Sequence, residues 1–143
     1  MLGSPRHDPR VSTLLDQLQI RYEIDPDGDF KLVFDLGNGR SQVAFVNSST
    51  ERFGGFEIRE TWSIAHISDG PLDADLANEL LQRNKRLKFG GWGVDLRGDR
   101  HHIIFTVHLS ADSDAAALMQ ALEITLSMSD ELERELTGDH DAL

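Results

Sequence analysis

The chain has 143 residues, 39% of them hydrophobic, which suits one compact domain burying about two thirds of its unfolded surface. It contains no cysteine, which excludes disulfides, thiolate nucleophiles and Cys-ligated zinc or iron–sulfur centres. Lys and Arg number 14 against 25 Asp and Glu, and the net charge of −11 repels phosphate backbones and anionic lipid, so direct nucleic-acid binding and membrane binding are not expected.

The opening MLGSPRHDPR has no apolar signal-peptide core, and no apolar run is long enough to cross a membrane. A cytoplasmic protein is expected, with a single domain over 1–143 and flexible tails at 1–8 and 139–143. In chain order, Asp8-Pro9 reads as a helix N-cap followed by proline at the first helical position. Val11, Leu14, Leu15, Leu18 and Tyr22 then recur at helical spacing, which predicts a first helix over 9–23. DPDGD (Asp25–Asp29) is a turn, after which Phe30, Leu32, Phe34 and Leu36 alternate with Lys31, Val33 and Asp35 as in a half-buried strand. Asn38-Gly39 supplies the two positive-φ residues of a type I′ turn, so a second strand over 41–47 folds back antiparallel.

A third strand is expected over 56–67. Asp69-Gly70-Pro71 breaks it and opens a second helix with the stripe Leu72, Leu76, Leu80 and Leu81, ending near Leu87. Two strands then form a hairpin around Arg97-Gly98-Asp99, carrying Trp92, Val94 and Leu96, then Ile103, Phe105, Val107 and Leu109. A last helix begins after Ala111-Asp112-Ser113, carries Leu118, Leu122, Leu126, Leu132 and Leu136, and stops at Gly138. The order αβββαββα describes an α+β fold in which helices pack on a five-stranded antiparallel sheet.

RFGGFE (Arg52–Glu57) and KFGGWG (Lys88–Gly93) echo each other. In both, glycines precede a strand, whereas a phosphate-cradling loop needs strand, glycines, then helix, so that N–H groups and the helix N-terminus converge on the anion. The glycines are therefore backbone devices: Gly54-Gly55 a turn or bulge, Gly90 or Gly91 the left-handed residue after a helix C-terminus. Arg97-Gly98-Asp99 is a hairpin turn, and the cations of RNKRLK (Arg83–Lys88) complement the dipole at a helix end. Asp25, Asp27 and Asp29 alternate around Gly28, but the glycine comes too early for a calcium loop and no glutamate takes its twelfth position, which leaves a solvated turn. His102 and His108 share a strand face yet stand about 20 Å apart, too far for one metal unless His66 completes a cross-strand set. No catalytic, cofactor-binding or metal-binding residue is predicted, and no cofactor.

Phe30, Phe34, Trp62, Trp92 and Phe105 are assigned to the sheet face that helices cover, and Val33, Ala44, Val46 and Ile104 to the opposite face. The second face is less polar than a solvated sheet requires, which implies self-association or a groove for another chain. Val33, Val46 and Ile104 mark the expected partner surface. Leu76, Leu80, Trp92 and Ile104 mark the expected homodimer interface.

The run from Leu80 to Leu126 places Asn84 near a helix end, Gly91 before a strand, a G-x-x-x-D-x-x-G strand pair through Asp95 and Gly98, the strand Ile103–Leu109, and then a long amphipathic helix. This run and the element order resemble the YbjN family and, more distantly, type III secretion chaperones of the Tir-chaperone type. The resemblance implies helices packed on a sheet, a homodimer, and a non-enzymatic role in binding or holding another protein; YbjN relatives are associated with stress response and regulation. The favoured reading is a chaperone-like accessory or regulatory protein with a specific protein partner. The alternative is a small-ligand-binding or enzymatic domain whose carboxylates and histidines converge in a pocket the sequence does not reveal.

Overall fold

The computed structural model describes residues 6–138; positions 1–5 and 139–143, where tails are expected, lie outside the described residues. The elements are α1 (Pro9–Gln17), β1 (Glu23–Ile24), β2 (Phe30–Gly37), β3 (Arg40–Val46), β4 (Glu51–Phe53), β5 (Phe56–Ser68), α2 (Ala74–Arg86), β6 (Gly91–Arg97), β7 (Arg100–Ser110) and α3 (Ala115–Thr137). One antiparallel sheet takes all the strands in the order β1-β2-β3-β5-β7-β6, with β4 added to β5. Among the described residues the sheet thus has seven strands, against the five expected. The two extra ones are short: β1 has two residues and β4 has three, all three exposed, so neither leaves an alternation to read.

Several local devices stand where the sequence places them. The β2–β3 turn carries Asn38 at φ 56 and Gly39 at φ 74, as a type I′ hairpin requires. The Asp8 carboxylate accepts from Arg10 N at the start of α1, and Gly138, at φ 68, ends α3. Asp8 is therefore an anchored cap, not part of a tail. The first helix is shorter than expected because Gln19 adopts φ 59 and the N–H groups of Gln19 and Ile20 return to Asp16 O and Leu15 O, a Schellman closure built on glutamine. Leu18 and Tyr22 keep helical spacing by coincidence; Tyr22 lies beyond the helix and sets its ring 5.2 Å from Phe30.

All three helices lie on one face of the sheet. α3 crosses β3, β5 and β7, α1 packs beside it, and α2 covers part of β6. Val11 and Leu15 of α1 meet Phe30, Leu32, Ala44 and Val46 and the α3 residues Leu118, Leu122 and Leu126. Leu80 of α2 joins Trp92, Ile103, Phe105 and Val107 with Ala121 and Leu132 of α3. Each large side chain buried here contributes about 1.5–3 kcal/mol relative to exposure.

The central strand β5 inverts the usual pattern. Its buried positions are Arg59, Thr61, Ser63 and Ala65, while Ile58, Trp62 and Ile64 point to the other side. Each inward polar group has a partner: Thr61 Oγ1 lies 2.8 Å from Thr125 Oγ1 of α3, Ser63 Oγ donates to Val43 O, and Gln42 Nε2 donates to Ser63 Oγ. With these bonds made, burial of the hydroxyls carries no desolvation penalty comparable to an orphaned group. The small side chains also let α3 approach closely. Three face assignments change: Trp62 belongs to the uncovered face, while Ala44 and Val46, set opposite Leu32 and Phe30, are fully buried beneath the helices.

Candidate functional site

The face opposite the helices has no layer over it among the described residues. Its centre is a cross-strand pair, Phe45 of β3 and Trp62 of β5, stacked with ring centroids 4.2 Å apart and planes 15° from parallel. The indole is fixed by its N–H, which donates to Asn47 Oδ1 at 2.7 Å. Ile64 and Ile104 face each other across β5 and β7 and extend the apolar floor. These residues line a groove of about 630 Å³ that is walled on one side by the Asp25–Asp29 turn and on the other by Asp95 and Arg97 of β6.

The walls are charged. The carboxylates of Asp25, Asp27 and Asp29 lie within 4.8 Å of one another. The turn accounts for their placement: Asp25 Oδ1 accepts from the N–H groups of Asp27 and Asp29, and Asp29 Oδ1 accepts from Ser48 N. Burial raises the Asp29 carboxyl above its ordinary range; the Ser48 N–H opposes this, and the charges of Asp25 and Asp27 add to it. Opposite, Arg97 Nε donates to Asp95 Oδ2 at 3.0 Å and its guanidinium carbon stands 6.0 Å from the centre of the Trp62 ring, at the outer reach of a cation–π contact.

Of the residues singled out from sequence, Val33 and Ile104 are on this open face, and Val33 is 61% exposed. Val46 is not, because its pairing with Phe30 and Thr61 turns it toward the helices. Leu80 and Trp92 are buried in the protomer's own core and the partly buried Leu76 packs against it, so these three hold α2 on the sheet. By register His66 lies on the helix side of the sheet, and His102 and His108 on the open side, so the three do not form one cluster. Arg83 of the basic run is taken up by Glu79 and by Glu135 of α3, at 2.9 and 2.7 Å.

The glycine stretches differ in role. Gly54, at φ 62, is in the tight turn joining β4 to β5, where Phe53 pairs with Phe56. Gly90, at φ 75, follows the end of α2 by four residues and is not its cap; it passes against β7, where a Cβ would overlap Thr106 O. The α2–β6 junction is instead held by Asn84, whose amide donates to Trp92 O at 3.0 Å and accepts from Trp92 N at 2.7 Å. Asn84 thus bonds the start of β6 as a neighbouring strand would.

In fold the chain is similar to YbjN from E. coli. The crystal structure of that protein, described as "a putative transcription regulator", superposes with a TM-score of 0.57 at 12% sequence identity, over 91% of this chain and 90% of that one. At this identity the likeness shows the fold alone. No protein-family profile matches the chain, and no curated protein sequence does. No helix among the described residues is long and apolar enough to cross a membrane. Sequence reasoning missed Phe45: the Asn38-Gly39 turn alone would set it opposite Leu32 on the helix side, and the register shift between Asp35 and Gly37, which nothing in the sequence announces, places it opposite Lys31 on the open face.

Proposed function

We propose that the protein is a non-enzymatic, YbjN-like accessory or regulatory module in the cytoplasm, with a stress-related role, and that it binds a protein partner on the open sheet face. The observation that carries this is the uncovered apolar floor of Phe45, Trp62, Ile64 and Ile104 on a sheet whose other face packs against the helices. The fold likeness to a protein described as a regulator supports the same reading. The net charge of −11 weighs against direct contact with nucleic acid. The one carboxylate–imidazole contact among the described residues, Glu60 to His108 at 3.4 Å, is solvated, which favours binding over acid–base chemistry. A small-ligand site is the second reading, because the groove's volume falls within the range such sites occupy.

The proposal includes a homodimer. With Leu80 and Trp92 inside the protomer, the surface that suits it is the outer edge of β6, which pairs with no strand among the described residues and carries exposed Val94 and Leu96. Site-specific photo-cross-linking in the native host tests both parts. A photoreactive side chain replacing Val33 or Ile104 should give adducts with a different protein, identified by mass spectrometry. One replacing Leu96 should give an adduct of twice 16.0 kDa. A control at the exposed Glu131 of α3 should give neither. Adducts from position 131 with none from 33 or 104 would contradict the partner surface, and only monomer from position 96 would contradict the dimer edge.

A further inference from the structure

We infer that the groove takes a partner segment bearing arginine or lysine between apolar residues, its cation occupying the place over Trp62 that Arg97 fills in the free protein. This rests on the reading of the open face as the partner surface. The argument is one of charge and shape. Asp25, Asp27 and Asp29 form one wall, and Glu60 and Asp95 add two further carboxylates. Against them the groove carries only Lys31 and Arg97. An acidic segment would be repelled, and a purely apolar one would desolvate carboxylates without pairing them, which carries a penalty. A cation flanked by apolar residues meets both the walls and the floor.

Arg97 shows how such a group is held. Its guanidinium is gripped by Asp95 and set over the Trp62 ring, the electron-rich face that attracts cations. It is half exposed on an edge strand, so an incoming guanidinium displaces it at little cost. Crowding of three carboxylates in the opposite wall, with the Asp29 carboxyl raised by burial and by its neighbours, is relieved when a cation enters.

Selection from a library of random peptides displayed on ribosomes, using the immobilised full chain, tests the inference. The retained peptides should be enriched in Arg and Lys with apolar neighbours. Their affinity should fall at least about tenfold in Trp62→Leu, fall severalfold in Asp27→Asn, and rise about two- to fivefold in Arg97→Ala, which frees Asp95 and the indole face. Circular dichroism checks each variant; if Trp62→Leu unfolds, the two exposed substitutions carry the test. Neutral or acidic peptides that are lost in Ile104→Glu would overturn the cationic occupant while leaving the open face as the binding surface. Peptides indifferent to Ile104→Glu, Trp62→Leu and Asp27→Asn would overturn both, and a library that yields no binder would overturn the inference.

Discussion

Replacing Arg59 by alanine should lower folding stability by about 3–5 kcal/mol. Arg59 is 3% exposed on the helix side of β5, where its guanidinium donates to Asn47 O at 2.7 Å, Ser48 O at 3.1 Å and Asp8 Oδ2 at 2.6 Å. Removing it takes the guanidinium donor from two part-buried carbonyls and releases the cap residue that ties α1 to the sheet. Arg59→Met, which retains most of the volume, should recover only a minor part of the loss. Denaturant unfolding followed by circular dichroism measures both, and a loss below about 1 kcal/mol for Arg59→Ala would contradict the assignment.

The same network sets an acid limb. Burial pushes the Asp8 carboxyl up, but hydrogen bonds from Arg10 and Arg59 outweigh it and hold it at about 2, against an ordinary 3.8. Glu57 is held at about 2, against 4.5, by the Arg10 guanidinium and the Thr50 hydroxyl. Both bind protons less readily folded than unfolded, so the stability they contribute is complete above their ordinary values and is lost as pH falls toward 2. Asp29, raised by burial, works in the opposite sense over part of that range. The denaturation midpoint should therefore fall between about pH 6 and about pH 3, less steeply in Asp8→Asn.

Gly90→Ala should cost about 3 kcal/mol, whereas Gly54→Ala should cost about 1 kcal/mol. Both glycines have positive φ, but only Gly90 faces backbone: an added Cβ would overlap Thr106 O and lie 3.0 Å from the Phe105 ring and from Val107. Around Gly54 nothing lies within 4 Å. β7 would have to shift beneath the core to admit the methyl group. Equal costs for the two substitutions, read from the same unfolding curves, would contradict the distinction.

These positions also show what was legible in the sequence. Turn chemistry was, because Asn38-Gly39 and Gly138 satisfy local backbone demands that no tertiary contact overrides. The stripe of α3 was, because Leu118, Leu122, Leu126 and Leu132 repeat at helical spacing over a helix of 23 residues. The faces of β5 were not. Alternation says which residues share a side, and hydrophobicity then places Trp62 inward, yet close packing of α3 demands small residues there and the Thr61–Thr125 and Gln42–Ser63 bonds satisfy their hydroxyls. In β3 both faces are apolar, so only its register with β2 buries Val46 and exposes the Val43 side. The groove followed from those two decisions and could not be read before them.

The chain's two tryptophans lie on opposite sides of the sheet, Trp62 on the open face and Trp92 under α2, and they provide the most direct measurement. In nitrogen-15 spectra each gives one indole N–H signal, assigned with Trp92→Phe. On titration with the protein captured by cross-linking, the Trp62 signal should shift or broaden as its ring and its bond to Asn47 are covered, while the Trp92 signal stays in place. A shift at Trp92 with Trp62 unmoved, under conditions where the partner is bound, would contradict the open sheet face as the binding surface.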